Sequence, residues 1–339
     1  MTGVSLFQTL CDEVITDLRN YAVELENEID FPDSAYIAVN ISDSDQASAS
    51  ASWNATDGCY QVTLDRALCV WAFDVAVNSS IHIDSDFNSN VSHRLNLSDY
   101  SRKWSIDEIN RKSRLAEQRL PPHQNGVCHY LFGTVCLVIF CHELAHIFSG
   151  HVDYLKSRRK SDCVLIDELN IARQSEKATG LPLRFLEFEA DYTGARWLVE
   201  LAGGKRFCPR LWRGYTVQQN LVMGLWAFVL FTISLTEAVS HSGYKSDQYP
   251  EPMLRFTTAV SAMNGIWNKQ VPDAEFQEEI FLPVADLLQA FESLYPAIDH
   301  ARDFADANWA NAMKYKAAKL ATDHKQMTLK LDPYRFNFI

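Results

Sequence analysis

The sequence predicts an α+β fold, predominantly α-helical, with a small antiparallel sheet near the N-terminus. Three observations carry that expectation. Apolar residues recur at helical spacing, as in Leu6, Leu10, Val14, Leu18, Ala22 and Leu25. An uncharged run, GYTVQQNLVMGLWAFVLFTISLT, occupies 214–236. Only two short segments, AYIAVNI at 35–41 and CYQVTL at 59–64, look like strands.

Residues 5–27 form an opening amphipathic helix on this reading. The two strands are joined by the low-complexity stretch SDSDQASASAS, which reads as the long mobile loop of a hairpin. RALCVWAFDVAV at 66–77 is a buried helix, and 78–103 is an irregular polar connection. Pro121, Pro122 and Gly126 close a polar helix and precede an apolar helix over about 127–152. The polar stretch 153–180, with SRRKSD and GLP, reads as a lid, and a second amphipathic helix covers about 182–202. The run at 214–236 is long enough to raise the question of a membrane span. Gln218, Gln219, Asn220, Gly224 and two threonines leave fewer strongly apolar residues than the roughly 20 a span requires, so a buried core helix is favoured. Further helices follow Pro252. The expected division is an N-terminal α+β region at 1–104, a central core at 105–270 and a C-terminal helical region at 271–339.

A chain of 339 residues can bury a sizeable core. Its net charge of −12 repels a phosphate backbone, which argues against nucleic acid as a partner despite the local SRRK at 157–160. A protein or peptide substrate is more compatible. The eight cysteines contain no CxxC pair and read as reduced. The N-terminal MTGVSLFQTLCDEV has neither a basic n-region nor an apolar h-region, so a cytoplasmic location is expected.

The chemistry concentrates in FCHELAHIFSGH, which begins at Phe140. His142, Glu143 and His146 read H-E-x-x-H, and one helical turn returns His146 to the face of His142. Two imidazoles that converge in an apolar run suit Zn²⁺, whose catalytic sites take three protein ligands and leave a fourth position for water. Glu143 lies beside the first ligand, placed to act on that water. The motif is short, so a third ligand decides the matter. Two candidates stand. His151 follows the second histidine by five residues, and in a continuous helix it would lie about 180° from His142, which makes it a helix-end or surface histidine. LEFEADYTGARWL, beginning at Leu186, is stronger. Glu187 and Asp191 share a helical face with Gly194, whereas Glu189 lies roughly 200° from Glu187. Glu187 is then the third ligand and Asp191 an acceptor for the free ring N–H of a liganding histidine. Gly194 allows the two helices to approach closely.

H-E-x-x-H followed by E-x-x-x-D resembles the gluzincin metallopeptidases, and HELAH with a later EADxxGA resembles their HtpX-type branch. That branch also carries a downstream His-Pro with Arg five residues after the Pro. YPEPMLR here has Tyr249, Pro250 and Arg255, with tyrosine in place of the histidine. A closer resemblance, over roughly 59–78 and 128–262, is to the Lit-type phage-exclusion peptidases. The shared features are a helix containing WAF (Trp71, Ala72, Phe73), an apolar helix running into HExxHxxxxH, and a compact E-x-E-A-D helix.

The resemblance implies a gluzincin-like core holding one Zn²⁺ per chain. It implies peptide hydrolysis with Glu143 as general base, Tyr249 at the position of an oxyanion donor, and Arg255 paired with a carboxylate near the site. The alternative for Tyr249 is a buried residue that orders a turn, and His241 is a weaker donor. A protein substrate is implied, with an elongation factor of the host translation machinery as its extension, restrained until a phage-derived activator appears. The segments 41–57 and 153–180 are the expected gates. Two other functions compete: a membrane-associated quality-control protease, and a non-catalytic sensor with a structural zinc. A structural site would need a fourth ligand, and Cys141 points about 100° away from His142.

Overall fold

The structure is a computed structural model that describes residues 5–28, 31, 35–44, 47–84, 104–159, 163–167, 183–203, 209–241, 252–270, 276–285, 287, 325 and 328–336. The chain opens with helix α1, Leu6–Glu26, capped by Ser5, whose side chain accepts from the Gln8 amide. Leu10, Val14, Leu18, Ala22 and Leu25 are buried along it, as their spacing requires.

Four strands follow the order β1-β3-β2-β4: β1 Ile37–Ser42, β2 Ala49–Asn54, β3 Cys59–Asp65 and β4 Cys163–Asp167. The sheet is mixed, which corrects the expected antiparallel hairpin. β1 and β3 run parallel, and β2 pairs antiparallel with both β3 and β4. The stretch expected to be a loop and gate, within 41–57, contains β2. Its Ala49 and Ala51 are buried, and these small side chains suit a central strand against which a helix packs. Because β2 carries the chain back across the sheet, β3 must start in the direction of β1. The β2–β3 turn is local chemistry: Asn54 accepts from the amides of Thr56 and Asp57, and Gly58 supplies a φ of 63°.

Helix α2, Arg66–Asp84, buries Trp71, Ala72 and Phe73. Helix α3, Ile106–Arg119, starts from a capping box between Ser105 and Glu108. Helix α4, Asn125–Phe148, is the centre of the molecule, with every residue from Tyr130 to Phe148 buried. It packs on α2, on β2 and on two later helices, α6 (Leu183–Ala202) and α7 (Val217–His241); α8 (Pro252–Gln270) packs on α6 and α7. A stretch including α4, Pro122–Phe148, is long and apolar enough to cross a membrane, and its residues from Tyr130 on are all buried inside the chain. The run expected at 214–236 is α7, whose residues 224–232 are buried in the same interior. The buried apolar residues form a single cluster from Phe7 to Leu331, crossing the sequence positions 104 and 270.

Three boundaries differ from expectation, the first being α2, which runs on to Asp84 into the stretch expected to be an irregular connection. The apolar helix ends at Phe148, and the chain restarts as α5, His151–Arg159, after Gly150 at φ 76°. Left-handed φ is a helix stop that glycine permits. The segment read as a lid, 153–180, begins with α5 and includes β4; residues 160–162 and 168–180 lie outside the described part.

Candidate metal centre

Burial of α4 on all sides carries His142, Glu143 and His146 into the interior, where each is fully buried. Such groups stay in an apolar core only when neutralised, paired or bound to a cation. The facing helix α6 supplies Glu187 and Asp191, also fully buried. Its close approach depends on Gly194: a Cβ there would lie 3.1 Å from the backbone carbon of Cys141 and 3.1 Å from the amide nitrogen of His142. The glycine thus brings the carboxylates of α6 to the histidines of α4.

His142 Nε2 and His146 Nε2 are 3.1 Å apart. Glu187 places Oε2 3.3 Å from the first and Oε1 3.6 Å from the second. A tetrahedral ion with bonds of about 2.0–2.1 Å sets its ligand atoms about 3.3–3.4 Å from one another. The two nitrogens and the Glu187 carboxylate lie close to that spacing, and among the described residues this trio is the group arranged to hold a metal. The donor set is the borderline N/O type zinc accepts. Burial, with the positive potential of His142, His151 and Arg255, pushes His146 well below its usual range. It is therefore a neutral imidazole with a lone pair to offer.

Asp191 stands behind His142, with Oδ1 2.9 Å from His142 Nδ1. Arg255, on α8, grips the same carboxylate by two bonds, Nε to Oδ2 at 2.6 Å and Nη2 to Oδ1 at 2.7 Å. Its Nη2 also lies 3.8 Å from Glu187 Oε2, and its guanidinium covers the Phe231 ring at 5.4 Å. Burial opposes ionisation of Asp191, but Arg255 and His142 outweigh it and hold the carboxyl below the usual range. The structure therefore brings together His142, His146, Glu187, Asp191 and Arg255, with Glu143 in the same helical turn. Tyr249 lies outside the described residues, as does the side chain of His241.

His151 is a correction. It does stand at a helix end, as the first residue of α5, but it is fully buried and not at the surface, with Nδ1 2.9 Å from His146 Nδ1 and Nε2 3.1 Å from Glu189 Oε2. The 180° projection assumed that α4 continued, and the left-handed turn at Gly150 redirects the chain. Burial also lowers His151 below its ordinary range, against the pull of Glu189. Arg335 donates to the other oxygen of Glu189. The histidine-rich spacing HExxHxxxxH was the available signal for His151. For Arg335 the sequence carries none.

Fold and site together define an α+β chain with a buried His-His-Glu set on two packed helices. No protein-family model, no curated protein and no solved structure matches the chain.

Proposed function

We propose that the chain is a zinc-dependent endopeptidase acting on a protein substrate. The observation that carries this reading is the convergence of His142, His146 and Glu187 on one point with Glu143 in the same turn. A zinc ion held by those three residues supplies Lewis acidity to a peptide carbonyl and to a water molecule. Glu143 would take the proton from that water and return it to the leaving amine. Asp191 keeps His142 in the tautomer that leaves Nε2 free, and Arg255 keeps Asp191 ionised. Tyr249 retains the proposed role of hydrogen-bond donor to the developing oxyanion.

The Lit-type resemblance extends this to a cytoplasmic anti-phage protease that cuts a translation elongation factor once a phage-derived activator is present. The residues themselves support hydrolysis; the substrate, the activator and the location rest on the resemblance. Full burial of all the donors favours one second reading, a metal centre that does no hydrolysis.

The test pairs zinc analysis with digestion of a host cytosolic lysate, using wild type and Glu143→Gln. One zinc on each protein, with new fragments from wild type alone, supports the protease. Zinc on both and cleavage by neither, with phage lysate added, supports the non-hydrolytic centre. Removing a positioned general base lowers turnover by about 10²–10⁴-fold, so Glu143→Gln should retain zinc and lose at least that much.

A further inference from the structure

The helix α6 motif E-x-E-A-D contains three acids, and the site described so far uses two. The third, Glu189, is nearly fully buried and lies two residues from Glu187, on a different face of α6. Its partners are His151 and Arg335. Arg335 belongs to the segment 334–336, which is seated on the turn joining α4 to α5. The Phe336 amide donates to the Phe148 carbonyl, where α4 ends, at 3.2 Å. The Phe336 ring packs among Phe31, Tyr60 and Phe148. Tyr334 lies edge-on to Tyr154 and accepts at its hydroxyl from Ser157. A Cβ on Gly150 would lie 2.5 Å from the Tyr334 carbonyl carbon, so the turn is shaped to receive this segment.

The hydrogen bonds run in one direction. A neutral His146 that offers Nε2 to a metal must carry its proton on Nδ1, and that N–H points at His151 Nδ1. His151 Nδ1 then accepts, which places its own proton on Nε2, aimed at Glu189 Oε2. Glu189 accepts on that oxygen and, on the other, from Arg335. The reverse assignment would turn a bare His151 Nε2 lone pair toward a carboxylate. Only one arrangement of neutral rings satisfies both contacts, and it is the one in which His146 Nε2 is free for a metal.

We infer that Arg335 is a positioning residue for the metal site, acting through Glu189 and His151 to hold the tautomer and orientation of His146. The two liganding histidines then have matched supports. His142 leans on Asp191, held by Arg255; His146 leans on His151 and Glu189, held by Arg335. This inference rests on the reading of His142, His146 and Glu187 as metal ligands. It adds that residues 334–336 are part of the centre and that displacing them loosens the metal.

The experiment uses the full chain, stripped of metal by a chelator and titrated with Zn²⁺ against a chromophoric competitor. The visible absorption bands of the Co²⁺-loaded protein are recorded in parallel. Partners of this kind change metal affinity by about 10–100-fold. Glu189→Gln should weaken zinc binding within that range, and Arg335→Ala about 10-fold. Arg335→Lys should recover most of the loss, and both single variants should shift the Co²⁺ bands. Glu189→Gln with Arg335→Ala should bind no more weakly than Glu189→Gln alone, because the two act in one chain. Circular dichroism of the metal-free proteins checks that each variant is folded.

Wild-type affinity and unchanged Co²⁺ bands in both Glu189→Gln and Arg335→Ala would overturn the inference and leave the metal reading standing. So would effects that add in the double variant, or a loss in Arg335→Ala that neither Glu189→Gln reproduces nor lysine rescues. A wild type that binds no Zn²⁺, indistinguishable from His142→Ala, would remove the metal reading and this inference with it.

Discussion

Arg255 and Arg335 have the same chemistry and the same task, gripping a carboxylate behind a histidine, but they sit in different dielectric surroundings. Arg255 is 1% exposed and its partner Asp191 fully buried, whereas the Arg335 side chain is 29% exposed. Charge in the interior must be matched or it costs several kcal/mol, while water screens a charge near the surface. The comparison predicts that losing Arg255 costs folding stability, whereas losing Arg335 costs little of it.

The largest effect should come from Arg255→Ala. It leaves Asp191 and Glu187 together without their cation and should destabilise the metal-free protein by about 3–5 kcal/mol, read from urea unfolding. Arg335→Ala should cost no more than about 1 kcal/mol in the same assay. Equal losses would break the comparison.

Gly194→Ala ranks next. Its Cβ would meet the α4 backbone rather than a movable side chain, so the helices must separate, at a cost of about 1–3 kcal/mol. Because α4 carries the histidines and α6 the carboxylate, zinc affinity should fall with stability.

A smaller effect separates by pH two aspartates, one buried and one half-buried. Asp191, beside an arginine, has a lowered pKa, so its contribution is full above the unfolded value of about 3.9 and is lost as pH falls through the folded one. Asp153 accepts from the Tyr60 hydroxyl at 2.6 Å. Burial raises its pKa despite that bond and despite Lys156. A raised carboxyl favours the folded state at low pH and withdraws that advantage as pH rises from about 3.9 through its folded value. Unfolding of the metal-free protein from pH 3 to 7 should therefore show opposite changes: Asp191→Asn flattens an acid loss, and Asp153→Asn relieves a penalty present at neutral pH.

Much of the site was legible because it lies within two helices. Periodicity alone put His142 and His146 on one face and Glu187, Asp191 and Gly194 on another. Glu189 was correctly placed away from Glu187, yet its use was not visible, since its partners come from other elements. The sheet failed for a related reason. The Ala/Ser alternation of β2 resembles low complexity, and its role as a central strand appears only when β3 and β4 close on either side. His151 was misplaced by a single left-handed residue, Gly150, which no periodicity registers.

What the sequence determined by itself is the helical phase of each candidate ligand, because rotation per residue is a local property of the backbone. Tertiary structure decided which helices face each other, where α4 stops, and that Arg335 reaches Glu189. Those depend on packing between segments far apart in the chain, where close approach and burial, rather than spacing, determine which charges meet.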